Sequence, residues 1–484
     1  MCGINNNLTL SKTIKNNIYY INQKAGIDFK YCFFCILFYI WSEIAWCGPP
    51  DYILEEQPHP SSAEDIKGPL SSSFLKKIIK PTFFPVLKEK LQDLPPFFRD
   101  THLSVNFRTY EFDRDNSGFI DPDGSNDNDA WAIGGIIDYQ SGYLFDHLAL
   151  GTTYYTSQKI NGSLNKDGTI LLEPDQSGFD VLGQSYFIFK LNDRINFQGY
   201  RHTFNLPYLN RQDSRMVPNT HEAYTIYGID AFHNTDFITG YVHKMKTRNS
   251  DQFRHLSEIS GKTGKTGTDD GLVMAGARYH FGNDYNIGAI DYYSFNIMNI
   301  FYAEANAFFH LSDQIPLHMS AQFTDQQSIG DEFAGDFNTN TGGIMASLSY
   351  RGIVLTAAGS ITDDNSGIRS PYGGRPSYLS IIVKDFDRAG EDAWRIGLAY
   401  DLSYIGIKGL SAYTNYAEGY TPDTGSNASP DQSEWDITVD YRPAFPLFEG
   451  LWLRYRHASV DQDGPGEVDS VDNRFILNLE IPLL

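Results

Sequence analysis

The chain has 484 residues, with 60 Asp and Glu against 38 Lys and Arg, a formal net charge of −22 and a mean hydropathy of −0.36. Beyond residue 47 no apolar run approaches the roughly 20 residues of a membrane-crossing helix, which excludes a helical bundle in the bilayer. The acidic balance excludes a phosphate-binding surface, and with it nucleic acid as a partner. The 31 Tyr and 33 Phe fit strands that alternate lipid-facing and lumen-facing side chains, but fit an aromatic-rich soluble β-protein as well.

The first segment is 1–47. Tyr31 to Trp41 are almost wholly apolar and follow Lys12, Lys15, Lys24 and Lys30, the layout of a signal peptide, with Ala45 and Cys47 at the small positions before Gly48. A retained anchor helix is the competing reading. All four cysteines (Cys2, Cys32, Cys35 and Cys47) lie here, so the mature chain would have no thiol to mispair during export. The Cys32/Cys35 pair has no zinc or redox context, and neither metal nor cofactor is expected. Residues 48–98 are rich in Pro and Ser, with a basic-amphipathic stretch from Phe74 to Lys80 and a short helix predicted at Val86–Leu94. They read as an N-terminal periplasmic extension.

From residue 99 the period changes to two. Leu103, Val105, Phe107 and Thr109 alternate with Ser104, Asn106, Arg108 and Tyr110, so one face of the strand is largely apolar and the other polar. Trp131 to Tyr139 repeat the pattern. So do Trp394, Ile396, Leu398 and Tyr400 against Arg395, and Trp435, Ile437, Val439 and Tyr441 against Asp436, Asp440 and Arg442. Leu451, Leu453 and Tyr455 alternate with Arg454 and Arg456. Aromatics mark the ends of the apolar faces, like the two girdles of a membrane barrel. Tight turns such as Leu191 to Arg194 alternate with long polar stretches: Asn161–Asp180, Lys246–Gly271 and Thr362–Gly390. At roughly 20 to 25 residues per strand and connection, residues 99–484 hold about 15 to 19 strands of a closed transmembrane antiparallel β-barrel.

Weaker signals carry less. Asp113, Asp115 and Asp121 begin like a calcium loop, but Gly124 stands where a bidentate Glu is needed. The Gly261 to Thr266 stretch lacks the glycine spacing of a phosphate loop, and no nucleophile elbow points to an enzyme.

Several segments are similar to the OprD family of substrate-specific outer-membrane porins. Phe97 to Asp115 resembles that family's first strand, with its Arg-x-Tyr-x-Phe-x-Arg-Asp pattern. Asn205 to Tyr224, which contains Leu206-Pro and Asp213-Ser-Arg-Met-x-Pro218, resembles the loop that folds into the lumen and narrows it. Trp394 to Leu402 and Gly450 to Arg456 resemble the late strands. His221 stands where the family often has Phe, and the last residue is Leu484 rather than Phe or Trp.

The resemblance implies an 18-stranded, all-β barrel of the bacterial outer membrane, a monomer or weak oligomer surrounded by lipid and lipopolysaccharide. Its constriction would pass small water-soluble solutes, typically carrying a carboxylate (amino acids, peptides, organic acids), along a ladder of basic side chains. The arginines on the lumen phase are Arg108, Arg395, Arg442, Arg454 and Arg456; Arg211, Asp213, Ser214 and Arg215 lie on the expected constriction loop. A guanidinium suits the task because it is always charged and meets a carboxylate with a two-donor fork. The bland alternative has these arginines bracing the wall through Asp138, Asp401, Asp436 and Asp440, and Asp213 tying its loop to the wall. At the level of function, the alternative is a non-conducting structural or adhesin barrel.

Overall fold

The computed structural model describes residues 83–117, 127–260, 268–312, 314–445, 448–464 and 467–484. The expected leader, residues 48–82 of the extension, Asp121, Gly124 and the Gly261 to Thr266 stretch lie outside the described residues.

Two short helices come first, α1 (Pro85–Leu91) and α2 (Pro96–Arg99), each opened by a proline whose fixed φ suits the first helical turn. The strands follow: β1 (His102–Asn116), β2 (Asp127–Gln140), β3 (Leu148–Asn161), β4 (Phe179–Lys190), β5 (Ile195–His202), β6 (Thr220–Gly228), β7 (Thr235–Lys246), β8 (Arg254–His255), β9 (Leu272–Phe281), β10 (Tyr285–Ser294), β11 (Met298–Ser312), β12 (Ile315–Ser328), β13 (Asn338–Tyr350), β14 (Ile353–Thr362), β15 (Asp392–Asp401), β16 (Leu410–Tyr420), β17 (Asp431–Tyr441), β18 (Leu451–Asp463) and β19 (Ser470–Pro482). Helix α3 (Leu256–Ser260) follows the two-residue β8. Chain neighbours pair antiparallel from β1 to β8 and from β9 to β19, β7 also pairs with β9, and β1 pairs with β19. Apart from β8, the strands close an 18-stranded barrel. Closure leaves no row of unpaired backbone groups, which a membrane interior would not tolerate.

The period-two pattern decides which way each side chain points. On β15, Ile396 and Leu398 are about half exposed, while Arg395 between Trp394 and Ile396 is buried. On β18 and β19, Tyr455 and Phe475 point outward and sit opposite each other in register. The outer face is thus apolar and open, and the polar face is covered by the protein's own chain.

One rim has short connections, such as Arg351–Gly352 between β13 and β14, and the start of β1 meets the end of β19 there (Ser104 opposite Pro482). The other rim carries residues 162–178, 203–219, 247–260, 268–271 and 363–391, with a short connection at 295–297 between β10 and β11. The long segments differ from the solvated loops that their composition predicts. Leu171, Leu172, Leu256, Ile368, Tyr372, Tyr378, Leu379 and Phe386 are buried and join three apolar clusters with inward side chains of the wall. A mean taken over a polar stretch hides a few well-spaced apolar residues, and those few are enough to seat the segment.

Candidate functional site: the inner wall and its loops

The segment between β5 and β6 is seated at both ends. Phe204, Leu206, Tyr208 and Leu209 pack in one cluster with Tyr292 and Tyr302, whereas Met216 and Val217 pack in another with Tyr110 and Phe112 of β1. Polar bonds fix its middle. Arg108, inward on β1, donates its Nε to Asn478 Oδ1 at 2.7 Å, and its terminal nitrogen lies 2.9 Å from Asp213 Oδ1 and also bonds the Arg215 carbonyl. Arg108 and Asn478 are register partners across β1 and β19, so strand pairing itself aims the guanidinium. Burial pushes the Asp213 carboxyl up, but Arg108 and then Arg211 outweigh it and hold it below the ordinary carboxylate range. Breaking such a buried pair by removing one partner costs about 3–5 kcal/mol, because the other charge is stranded.

Around this tie is a group of guanidiniums. Arg215 donates Nε to the Thr169 carbonyl at 2.7 Å, and Arg248 donates to Ser214 Oγ at 2.7 Å. The Phe112 ring is approached by Arg474 at 4.6 Å, Arg215 at 5.1 Å and Arg114 at 5.3 Å. Asp472 pairs with Arg474 at 2.6 Å and with Arg114 at 2.7 Å. Arg211 reaches Asp213 at 3.4 Å and is half exposed.

The predicted ladder residues divide. Arg454 forks onto Asp440, both contacts 2.7 Å, and Trp452 Nε1 donates to the same carboxylate. Among the described residues Arg456 makes a single 3.3 Å hydrogen bond, to Thr438 Oγ1, and it faces Arg474 directly across β18 and β19, where like charges ordinarily destabilise a sheet. Arg395 is buried, and its Nε has no partner among the described residues. Arg442 departs from expectation: β17 ends at Tyr441, so Arg442 lies one residue beyond the strand, exposed, with its guanidinium over the Trp452 ring at 4.9 Å. Its backbone N–H still bonds Gly409 O at 2.8 Å, and a Cβ at Gly409, whose φ is +78°, would fall 1.8 Å from the Arg442 carbonyl oxygen.

The bracing carboxylates divide too. Among the described residues only Asp440 of the four takes an arginine in ion-pair range. Asp138 accepts from Thr153, Asp436 from Asn415, and Asp401 from the Ser403 N–H. Asp213 is tied to the wall, as the bland reading had it.

Sequence reasoning missed four contributors: Arg114, Arg248, Arg474 and residues 363–391. Arg474 is in phase with Ile476 and Asn478, and Arg114 belongs to the first-strand motif, so both were open to a phase count. The 363–391 segment gave no such signal. It meets the first loop where Asn210 bonds Gly374 through both its side-chain nitrogen (2.8 Å) and oxygen (2.7 Å). Arg375 pairs with Asp385 and Asp387, and Glu434 of β17 accepts from the backbone of Val383 and Lys384.

Residues 95–483 match the family model described as outer membrane porin, OprD family. The chain belongs to the OprD family. It is an outer-membrane porin, a channel rather than an enzyme, as expected. A porin-like protein, GalP, of Pseudomonas putida is 22% identical over 84% of this chain and 98% of its own length. Among solved structures, OccK9 (OpdG) of Pseudomonas aeruginosa has a TM-score of 0.71 at 23% identity, covering 80% of this chain and all of its own. A BenF-like porin of Pseudomonas fluorescens scores 0.70 at 20% identity over 80% of this chain and all of its own. OpdK of Pseudomonas aeruginosa, solved with vanillate, scores 0.70 at 19% over 79% of this chain and 99% of its own.

Proposed function

We propose that this porin passes small carboxylate-bearing solutes by passive diffusion, with residues 203–219 narrowing the lumen and unpaired arginines drawing the anion through. One observation carries the reading: Arg215, Arg248, Arg395 and Arg456 have no carboxylate in ion-pair range among the described residues, while Asp440 and Asp472 are already paired with Arg454 and Arg474. A conducting site must attract a solute enough to admit it and weakly enough to release it, and a guanidinium without a fixed counter-ion offers that transient contact. Vanillate, bound in the OpdK structure, is an aromatic carboxylate of the class meant.

The same reading turns the apolar outer face to lipid and, at the long-loop rim, to lipopolysaccharide. It makes residues 1–47 a leader and 48–98 a periplasmic extension, and leaves the barrel a monomer or weak oligomer. No comparison favours the non-conducting alternative. Liposome swelling with paired solutes of equal size tests the carboxylate preference. Arg456→Ala should slow benzoate-type and amino-acid entry by severalfold and leave a neutral sugar nearly unchanged. Equal losses for both would overturn the role of the arginines.

A further inference from the structure

The family match begins at residue 95, so the described residues just before it are additional to the porin body. They are not loose from it. Phe83 N–H bonds Pro482 O at 2.8 Å and Phe84 N–H bonds Leu483 O at 3.2 Å, which adds the chain to the end of β19 at the short-connection rim. At the far end of the arm, Gly142 N–H bonds Phe97 O at 3.0 Å, and Thr101 Oγ1 lies 3.3 Å from the hydroxyl of Tyr139, an outward residue at the end of β2. Between these two anchors the apolar side chains are uncovered. Phe84, Leu87, Leu94 and Phe98 are each more than two-fifths exposed, and Val86 is 63% exposed.

Phe84 leads into α1, Leu87 and Leu91 lie four apart on one face of α1, Leu94 follows in the turn after it, and Phe98 lies on α2. Within α1, Lys88 and Lys90 lie on either side of the Leu87–Leu91 face, while Glu89 lies opposite it. Lysines beside an apolar stripe bury their stems along it and raise the ammonium to a phosphate-bearing surface. A protein partner would call for a complementary apolar groove. The observed continuity is with the outward, aromatic end of β2.

We propose that residues 83–98 are an interfacial arm, which lays Phe84, Leu87, Leu94 and Phe98 into the phospholipid leaflet beside the short-connection rim and holds headgroups with Lys88 and Lys90. The inference rests on the reading that the barrel's outer face meets lipid. The arm would widen the apolar girdle on the β19–β1–β2 side of the barrel and fix its depth there.

Chains with Cys2, Cys32, Cys35 and Cys47 replaced by serine and one cysteine introduced, labelled with a nitrobenzoxadiazole dye, test this in nanodiscs of phosphatidylethanolamine and phosphatidylglycerol, with the cysteine-free chain giving the labelling background. Three positions are compared: Leu87→Cys on the apolar face of α1, Glu89→Cys on its opposite face, and Phe301→Cys on the outward face of β11. The Leu87 dye should be quenched about twofold or more by lipid carrying an acyl-chain nitroxide and be shielded from iodide, with the Glu89 dye behaving in the opposite way. Iodide reaching both arm positions equally would overturn the arm. So would a Leu87 dye shielded from iodide and nitroxide alike, since protein would then cover it. The Phe301 dye separates the two levels: nitroxide quenching there without quenching at Leu87 removes the arm and keeps the lipid-facing wall, whereas no quenching at Phe301 removes both.

Discussion

Two sectors of the same wall are built on the same alternation yet present different inner surfaces. From β17 round to β1 the inward side chains include many charged ones, Glu434, Asp436, Asp440, Arg454, Arg456, Asp472, Arg474, Arg108 and Arg114, among neutral ones such as Tyr110, Phe112, Thr438 and Asn478. From β10 to β12 they are Tyr292, Tyr302, Gln322, Thr324 and Gln326, with one closed ion pair between Glu304 and Arg278 of β9. Both sectors seat loops, by different means. The neutral side holds Tyr208 through Thr324 at 2.9 Å, Arg369 through both ends of the Gln326 amide, and Tyr372 through Ser294 at 2.7 Å. The charged side holds Asp213 through Arg108. Neutral hydrogen bonds suffice to fix a loop, so fixing one does not by itself call for the charge on the other side, where Glu434 and Arg474 also hold residues 382–384.

Reversing a single charge should break that contrast most visibly. Arg456→Glu places a carboxylate beside Arg474 in the passage, where exchanging one unit charge for its opposite at an effective dielectric near 20 is worth several kcal/mol at about 4 Å. Carboxylate flux should fall by roughly tenfold or more, and the reversal potential in a salt gradient should shift towards cations. Gln326→Glu on the neutral side adds the same sign of charge, and should shift the reversal potential far less. Equal shifts would mean that the passage does not distinguish its two walls.

Most of this wall was legible beforehand, because a strand's phase is a local property: once Trp394 and Ile396 are known to be outward, Arg395 must be inward. Strand phase also placed Arg454 and Arg456. It could not show that Arg454 is closed by Asp440 and Arg456 is not, since that depends on which residues become neighbours across β17 and β18. Arg442 was misjudged for a related reason: the alternation continues through it, but pairing with β18 ends at Tyr441. The 203–219 loop was visible only through its motif. Residues 363–391 were not visible as an inner element at all, because their burial comes from contacts with distant strands, and Tyr378 and Leu379 follow neither a helical nor a strand period.

The next effect concerns how the charged side holds its loop. Asp213→Asn strands Arg108, at a cost of about 3 kcal/mol by the usual magnitude for a broken buried pair. Residues 204–217 should exchange backbone hydrogen faster, and single channels should become noisier with altered mean conductance. Acid should reproduce this in the unaltered protein. The Asp213 carboxyl is held below its ordinary value, so its contribution is complete above about pH 4 and is lost as pH falls below that through the lowered value. Asp213→Asn should show no such step. A step that persists in the variant would assign the acid response to another carboxylate.

The smallest effect is expected at the junction between the loops, where no charge is involved. Asn210→Ala removes both hydrogen bonds to Gly374 and leaves two backbone groups of Gly374 without that partner, a cost of about 1–2 kcal/mol. The apolar contacts of Leu206, Tyr208 and Leu209 on one loop, and of Ile368 and Tyr372 on the other, remain in place. The channel should therefore flicker faster, with its reversal potential and carboxylate preference unchanged. This outcome separates geometry from charge more cleanly than the two larger effects can. If Asn210→Ala moved the reversal potential as far as Arg456→Glu does, selectivity would have to come from where the loops sit, and the division of the wall into a guiding side and a seating side would fail.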